Sequence, residues 1–342
     1  MTRLTASLEQ QKLLQSWPKV DLHRHLEGSL RLSTLCQIAR QFELDLPTEP
    51  EQLRPLVQVI NDEPNSANFL SKFPVLRQFY QSPEVIQQLT YEVIEDAALD
   101  NVKYLELRFT PRALSKAKGY SLHDVTHWVL LAVEKARQAF PKMRVELIAS
   151  INRHEPVEVA EQVAALAVEH KTDIVGLDIA GDEANFPAEP FAAVFHEAHR
   201  AGLGITVHAG EWAGADNVRH AIERLEADRI GHGVRVVEDA AVMALACERG
   251  TVFEVCVTSN LQSGVIQRLS DHTLGQMLAN NLLVTINTDD PAVSEITLTE
   301  EYGKAINGLG LTYEQVRATI RTAAQAAFLP PAEKQALAQQ FQ

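Results

Sequence analysis

Eight short β-type apolar runs, most of them separated by longer segments with helical spacing, constrain the fold of this chain more than any other feature. The runs cover residues 20–26, 102–109, 145–151, 174–179, 204–208, 229–233, 251–257 and 282–287, and the helical segments include 83–100, 121–140, 156–170, 190–201, 217–227 and 239–249. Strand followed by helix, repeated, is the pattern of a parallel sheet, because parallel neighbours need a connection long enough to hold a helix. Eight repeats predict an α/β chain folded as a (β/α)8 barrel of the TIM type, which carries its chemistry at the C-terminal ends of its strands. At 342 residues the chain exceeds the ~250 typical of such a barrel, and the surplus falls in two places. Residues 32–82 form a long insertion whose apolar stretch Phe69-Leu70-Ser71-Lys72-Phe73 is a candidate lid over the barrel mouth, or else a packed outer helix. The tail from residue 300 onward is rich in Ala and Gln, helical in character and interrupted by Pro330-Pro331, and is expected to be a packing appendage. No internal repeat or low-complexity linker marks a second domain, so residues 1–342 are expected to form one.

Composition narrows the partners. A formal net charge of -14 argues against nucleic acid, whose binding draws on clustered Lys and Arg, and leaves an uncharged or weakly charged small molecule as the better substrate. Cys36, Cys247 and Cys256 are too few and too widely spaced for a disulfide framework or a thiolate cage, and are expected to be reduced core thiols. The first 17 residues contain no apolar core of a leader, and no run reaches the ~18 apolar residues of a membrane span, so no membrane partner and a cytoplasmic location are expected.

The residues at the predicted strand ends are the ones able to do chemistry. The first run ends in His23-Arg24-His25, and strand alternation turns residues i and i+2 to the same side, so two imidazoles face one point. The fifth run leads into His208-Ala209-Gly210-Glu211 and the sixth ends Gly231-His232-Gly233, where the glycines admit close approach. The eighth leads into Asn287-Thr288-Asp289-Asp290-Pro291, two adjacent acids after an apolar strand. A barrel brings all of these to one rim, where such a density of buried charge is costly unless a cation organises it. Imidazole and carboxylate together suit zinc, and a catalytic zinc site keeps an open position for water, whose pKa the metal lowers towards ~7.

Five segments then occur in order: the run from Pro18 through His23-Arg24-His25-Leu26-Glu27-Gly28-Ser29, then Ala180-Gly181-Asp182-Glu183, His208-Ala209-Gly210-Glu211, Gly231-His232-Gly233 and Asn287-Thr288-Asp289-Asp290-Pro291. With them, from about residue 18 to 291, the chain resembles the adenosine deaminases and the related adenine deaminases of the amidohydrolase superfamily. That resemblance implies that His23, His25, His208 and Asp289 bind one Zn2+, with water or hydroxide in the remaining position. It implies that Glu211 donates a proton to purine N1 and that His232 orients the metal-held water and accepts its proton. It further implies that Asp290 bonds ring N7 and that the Gly181 backbone contacts N3. The reaction would be hydrolytic deamination of adenosine or 2′-deoxyadenosine to the inosine counterpart, with release of ammonia.

One position departs from the adenosine-deaminase pattern. Those enzymes commonly carry Asp after His-x-His-Leu to bond the ribose 5′-hydroxyl, whereas this chain has Glu27, as adenine deaminases tend to. The apolar 69–73 stretch instead resembles the gate of nucleoside-acting members. Adenine, or a larger adenine nucleoside such as aminodeoxyfutalosine, therefore stands as the alternative substrate. His123 with His127 and His196 with His199 have metal-like helical spacing but fall on outer helices, where surface histidines are the expectation; His154, at the rim after the third run, is left open. The nucleobase-editing deaminases use a His-x-Glu with a Pro-Cys-x-x-Cys cage, which this chain lacks. A non-catalytic relative should lack a ligand, acid or base, and none is missing. A phosphoesterase-type relative often carries a bridging lysine, for which no candidate stands out.

Overall fold

In the computed structural model, which describes residues 7–341, each apolar run forms a strand: β1 Lys19–His25, β2 Val102–Phe109, β3 Arg144–Asn152, β4 Ile174–Ala180, β5 Gly204–Ala209, β6 Arg229–His232, β7 Val252–Val255 and β8 Leu283–Ile286. They make one sheet in chain order, and the paired neighbours run parallel. The sheet curls until β8 meets β1, so the amidohydrolase-type barrel expected from the sequence is nearly closed. A single bridge pairs Arg24 with Asp289 there: the His25 N–H donates to the Asp289 carbonyl (2.8 Å) and the Asp289 N–H to that of His23 (2.7 Å). Below that point side chains stitch the seam. Leu22 N–H donates to Asn287 Oδ1 at 3.0 Å and the Thr288 hydroxyl to Asp21 Oδ2 at 2.7 Å. Closure of the barrel thereby holds Asp289 beside the two histidines of β1.

Helices cover the outside. Pro83–Leu99 shows why: Ser82 caps it by accepting from Val85 N–H, proline occupies its first turn, and Val85, Ile86, Leu89, Val93 and Ile94 form one buried stripe. Residues 32–82 are helical rather than loop-like, with Leu32–Gln41, Pro50–Val57, Ser66–Leu70, Lys72–Leu76 and the 3-10 turn Arg77–Phe79. No helix among the described residues is long and apolar enough to cross a membrane.

Three expectations need correction. The tail is not an appendage: Tyr313–Ala326 packs against β8 and β1, the place of the last outer helix. Beyond it Phe328 plugs the base of the barrel, its N–H on Glu106 Oε1 (2.7 Å) and its ring 3.6 Å from the Arg229 guanidinium. Gly204 makes room, since a Cβ there would lie 2.3 Å from that ring. The seventh strand stops at Val255, because Val257–Gln262 turns into a short helix. Cys36 and Cys256 are buried free thiols as expected, but Cys247 is exposed, on the outer face of Ala240–Arg249.

The barrel interior is charged, with alternating sign. Arg229 pairs with Glu106 and, at 2.6 Å, with Glu254 Oε1; Arg108 pairs with Glu254 and, at 3.2 Å, with Asp178 Oδ1, and all five side chains are buried. Charges removed from water survive only when matched in this way. The column ends at the site on the C-terminal rim.

Candidate active site

His23, His25, His208 and Asp289 converge at the C-terminal ends of β1, β5 and β8, all buried. His25 Nε2 lies 3.2 Å from His23 Nε2 and 3.2 Å from His208 Nε2, while Asp289 Oδ1 lies 3.2 Å from His23 Nε2 and 3.4 Å from His25 Nε2. Metal–donor bonds of about 2.0–2.1 Å bring neighbouring ligand atoms to about this separation, and all four donor atoms lie within 4.8 Å of one another. The cluster could therefore hold a cation, and the donors' lone pairs would repel one another without it. His208 and Asp289 are the wider pair, so the set is more open than a closed tetrahedron. Two carboxylates orient the imidazoles from behind. His23 Nδ1 lies 3.0 Å from Glu254 Oε2, and His208 Nδ1 lies 2.9 Å from Asp178 Oδ1, which presents each Nε2 to the centre. Burial alone would raise the Asp178 carboxyl, but His208 and Arg108 beside it hold it well below the usual carboxylate range. Asp289 adopts a left-handed backbone (φ 61°), as does His232 (φ 61°), so two chemistry-bearing residues sit where non-glycine backbone is strained.

Cys256 lies close enough to His232 and Asp289 to form an overlapping trio. Burial pushes its thiol pKa well up, so it does not offer a thiolate.

Glu211 and His232 flank this centre. Glu211 rides on a loop that Glu183 clamps: the Glu183 carboxylate accepts from the N–H groups of Gly210 (2.7 Å), Glu211 (2.9 Å), Trp212 (2.9 Å) and Ala213 (3.1 Å). Burial, then the charges of Asp289 and Glu183, push the Glu211 carboxyl well above its ordinary value. The shift favours the protonated acid. Burial likewise holds His232 neutral, and its tautomer follows from a chain of hydrogen bonds that starts at the backbone. Leu274 N–H donates to His272 Nδ1 (3.1 Å), leaving the His272 hydrogen on Nε2, 3.4 Å from Asn260 Oδ1. Asn260 Nδ2 then donates to His232 Nδ1 (3.2 Å). His232 therefore carries its hydrogen on Nε2, which faces Glu211 Oε2 at 3.6 Å and Asp289 Oδ2 at 3.8 Å.

A cavity of about 80 Å3 opens over the centre and brings Glu27, Gly181 and Asp290 to its walls. Burial and the neighbouring Asp289 raise the Asp290 carboxyl well above its ordinary value, and its Oδ1 has no hydrogen-bond partner. Gly28 makes that approach possible, since a Cβ there would lie 1.7 Å from Asp290 Oδ1. Glu27 is buried, with Oε1 accepting from Thr110 N–H (2.7 Å). Phe69, Leu70 and Phe73 line the cavity, as a lid would. His154 stands at the rim but outside the lining, exposed against the Phe186 ring. His123, His127 and His199 are exposed on outer helices, and His196 is partly so.

Sequence reasoning missed Asp178, Glu254, Arg108, Glu183, Asn260 and Arg77. Asp178 and Glu254 left a signal, as lone charges inside otherwise apolar strand runs, whereas Arg108 shares its run with Lys103 and Glu106; Glu183 belongs to a quoted motif but had no role. Asn260 closes Cys256-Val257-Thr258-Ser259-Asn260, a segment that resembles adenosine and adenine deaminases alike and so pointed to no role, and Arg77, which lines the cavity, left no signal.

Residues 18–342 match the family model described as adenosine deaminase. A curated adenosine deaminase of Klebsiella pneumoniae subsp. pneumoniae is 38% identical over 325 residues, covering 95% of this chain and 97% of its own. Among solved structures, the adenine deaminase of Arthrobacter aurescens superposes with a TM-score of 0.87 at 25% identity, covering 95% of this chain and 98% of that one. The Arabidopsis N6-mAMP deaminase does so with a TM-score of 0.86 at 27% identity, covering 96% and 99%. An eight-stranded barrel carrying three histidines, an aspartate and a proton-retaining glutamate at one rim, matched over nearly its whole length, belongs to the adenosine deaminase family of hydrolytic deaminases acting on adenosine-like substrates.

Proposed function

We propose that this chain hydrolyses the 6-amino group of adenosine and 2′-deoxyadenosine, giving the inosine counterpart and ammonia, and that it uses one Zn2+ held by His23, His25, His208 and Asp289. The observation that carries the reading is the buried cluster of four metal-type donors with Glu211 and His232 beside it. When bound, such a metal makes hydroxide available at neutral pH by lowering the pKa of water to about 7.

The remaining steps belong to the chain's own groups. Adenine offers three ring acceptors to be read, N1, N3 and N7, and each needs a donor. Glu211, kept protonated by burial, donates to N1; Asp290, likewise held neutral, donates to N7; and the Gly181 N–H serves N3. Protonation at N1 makes C6 electrophilic, so an oxygen nucleophile adds there and the C6–N6 bond breaks. One water is consumed: its oxygen becomes O6, one proton ends on N1 and the other leaves with ammonia. Glu211, once a carboxylate, can carry the added oxygen's proton to the departing amine, and the other proton of the consumed water restores it to the acid. His232 orients the attacking oxygen through its Nε2–H; accepting a proton there would require the Asn260 amide to turn over.

Glu27 favours a second reading, free adenine, because its carboxyl is buried against Thr110 where an N9 substituent has to fit. Against it, Phe69, Leu70 and Phe73 give the cavity an apolar cover suited to a nucleoside. The test is ammonia release by the zinc-loaded protein from adenosine, 2′-deoxyadenosine, adenine, AMP and aminodeoxyfutalosine. Adenosine or its deoxy form should lead. A preference for free adenine would move the assignment to the second reading, and silence on all five would reject the deaminase reading.

A further inference from the structure

The two histidine pairs with helical spacing differ in what they face. His123 and His127 meet no carboxylate at ion-pair distance among the described residues. His196 and His199, three apart on the helix Ala192–Arg200, both turn towards Glu226, which stands in the turn after the helix Ala215–Arg224. His199 Nδ1 lies 3.0 Å from Glu226 Oε2, and His196 Nε2 lies 4.0 Å from Oε1, separations that bracket those between the donors at the rim. His220 also meets an acid, Glu189 at 3.3 Å, but pairs with it singly. Two imidazoles and a carboxylate, brought together from separate elements, are the donor types of a transition-metal site.

The backbones that carry the three donors are fixed. Val194, Phe195 and Ala198 bury the other side of the histidine helix. The turn is pinned on both sides of Glu226, where Leu225 N–H and Ala227 N–H donate to the Ala221 carbonyl (3.3 and 3.1 Å) and Asp228 N–H to that of Ile205 (2.9 Å). Glu226 itself holds a left-handed backbone (φ 56°), a strained place for a residue with a side chain. The side chains, by contrast, are free to adjust, being 43%, 41% and 49% exposed for His196, His199 and Glu226. Their donors are spread wider than the 4.8 Å that encloses the rim cluster, so an ion would draw them in. It would replace the hydrogen that His199 Nδ1 shares with Glu226, and that hydrogen would move to Nε2.

We propose that His196, His199 and Glu226 form a second metal site, specific for a divalent transition ion such as Zn2+ or Ni2+ and separate from the rim. His199 and Glu226 open with Gly204 and Phe328 onto the groove at the base of the barrel, the end opposite the active site. Two imidazoles exclude Mg2+ and Ca2+, which take oxygen ligands. Three exposed protein ligands hold an ion less tightly than the four buried ones of the rim, so this site fills second. An ion there ties the histidine helix to the turn that feeds β6, and because it binds the folded chain alone it stabilises the fold.

The test is calorimetric titration of Zn2+, Ni2+ and Mg2+ into protein that already carries one equivalent of zinc, using the wild type, Glu226→Gln, His199→Gln and, as a control, His220→Gln. All four substitutions fall on exposed side chains, and melting without added metal checks that the fold is kept. The wild type and His220→Gln should show a second, weaker event with Zn2+ and with Ni2+ and none with Mg2+. Glu226→Gln and His199→Gln should each weaken that event at least tenfold and leave the first equivalent in place. Absence of a second event in the wild type overturns the site, as does an event that either variant retains in full or that Mg2+ reproduces; surface ion pairs alone would give the first of these results. Failure of the rim to hold zinc would instead remove the first event from every protein and leave the loss in the two variants to be read by itself.

Discussion

Asp178→Asn is the most informative single change, because it alters no proposed metal ligand and keeps the side-chain shape. Asp178 Oδ1 lies 2.9 Å from His208 Nδ1 and 3.2 Å from Arg108 Nη1, and Oδ2 accepts from Ser150 Oγ at 2.8 Å. The amide replaces one of these oxygens with an NH2 group and removes the charge. If that NH2 faces His208, the imidazole must accept at Nδ1, its hydrogen moves to Nε2, and the lone pair needed at the centre is lost. If the amide oxygen faces His208, the tautomer survives but the ring is held less firmly. Outer-sphere carboxylates of this kind set metal affinity by about 10–100-fold, which corresponds to about 1.4–2.8 kcal/mol. Global stability should fall as well, by less than the roughly 3–5 kcal/mol of a wholly broken buried pair, since Arg108 keeps Glu254. Zinc affinity is measured by competition with a chromophoric chelator, and melting with and without metal separates loss of affinity from loss of fold. A folded Asp178→Asn protein that binds zinc within threefold of the wild type would refute the orienting role.

The other predictions are more direct. Glu211→Gln should keep its metal yet lose about 10²–10⁴-fold in turnover, the usual range for a general acid; loss of the metal would make Glu211 a ligand instead. Gly28→Ala should lower kcat/KM at least tenfold and lower the melting temperature as well, because the new methyl would overlap Asp290 from Oδ1 to Cβ in a buried site; unaltered kinetics would mean that Asp290 does not read the ring. His272 is buried, and burial lowers its pKa from 6.5 to about 4. The unfolded chain therefore takes up a proton below about pH 6.5 that the native protein refuses, and stability present above that value is lost as pH falls towards 4, by up to about 3 kcal/mol. Urea unfolding at pH 7.5 and 5 should show a smaller loss in His272→Gln than in the wild type; equal losses would contradict this.

The barrel was legible because its strands are apolar runs of β-branched residues with glycines and acids at their ends, and the rim residues were legible because those ends are where a barrel does chemistry. What the sequence left dark depends on pairs far apart along the chain. Glu254 meets His23 only because β7 and β1 flank β8 in the closed barrel, and Phe328 finds Gly204 only because the tail folds under the base. An amphipathic pattern identifies Tyr313–Ala326 as a helix but not the surface it covers, so a barrel helix reads as an appendage. Cys247 lies in an apolar-looking helix, and its exposure follows from the phase of that helix against the sheet.

The central claim is that three histidines and an aspartate hold one metal that, with Glu211, removes the 6-amino group of an adenine nucleoside. Its most direct test is to strip the protein with chelator and titrate zinc back while following adenosine, inosine and ammonia together. The account predicts no conversion without metal, activity that saturates at one zinc per chain, and inosine and ammonia in equal amounts. Full activity in the stripped protein, or none after one equivalent of zinc has bound, would contradict it.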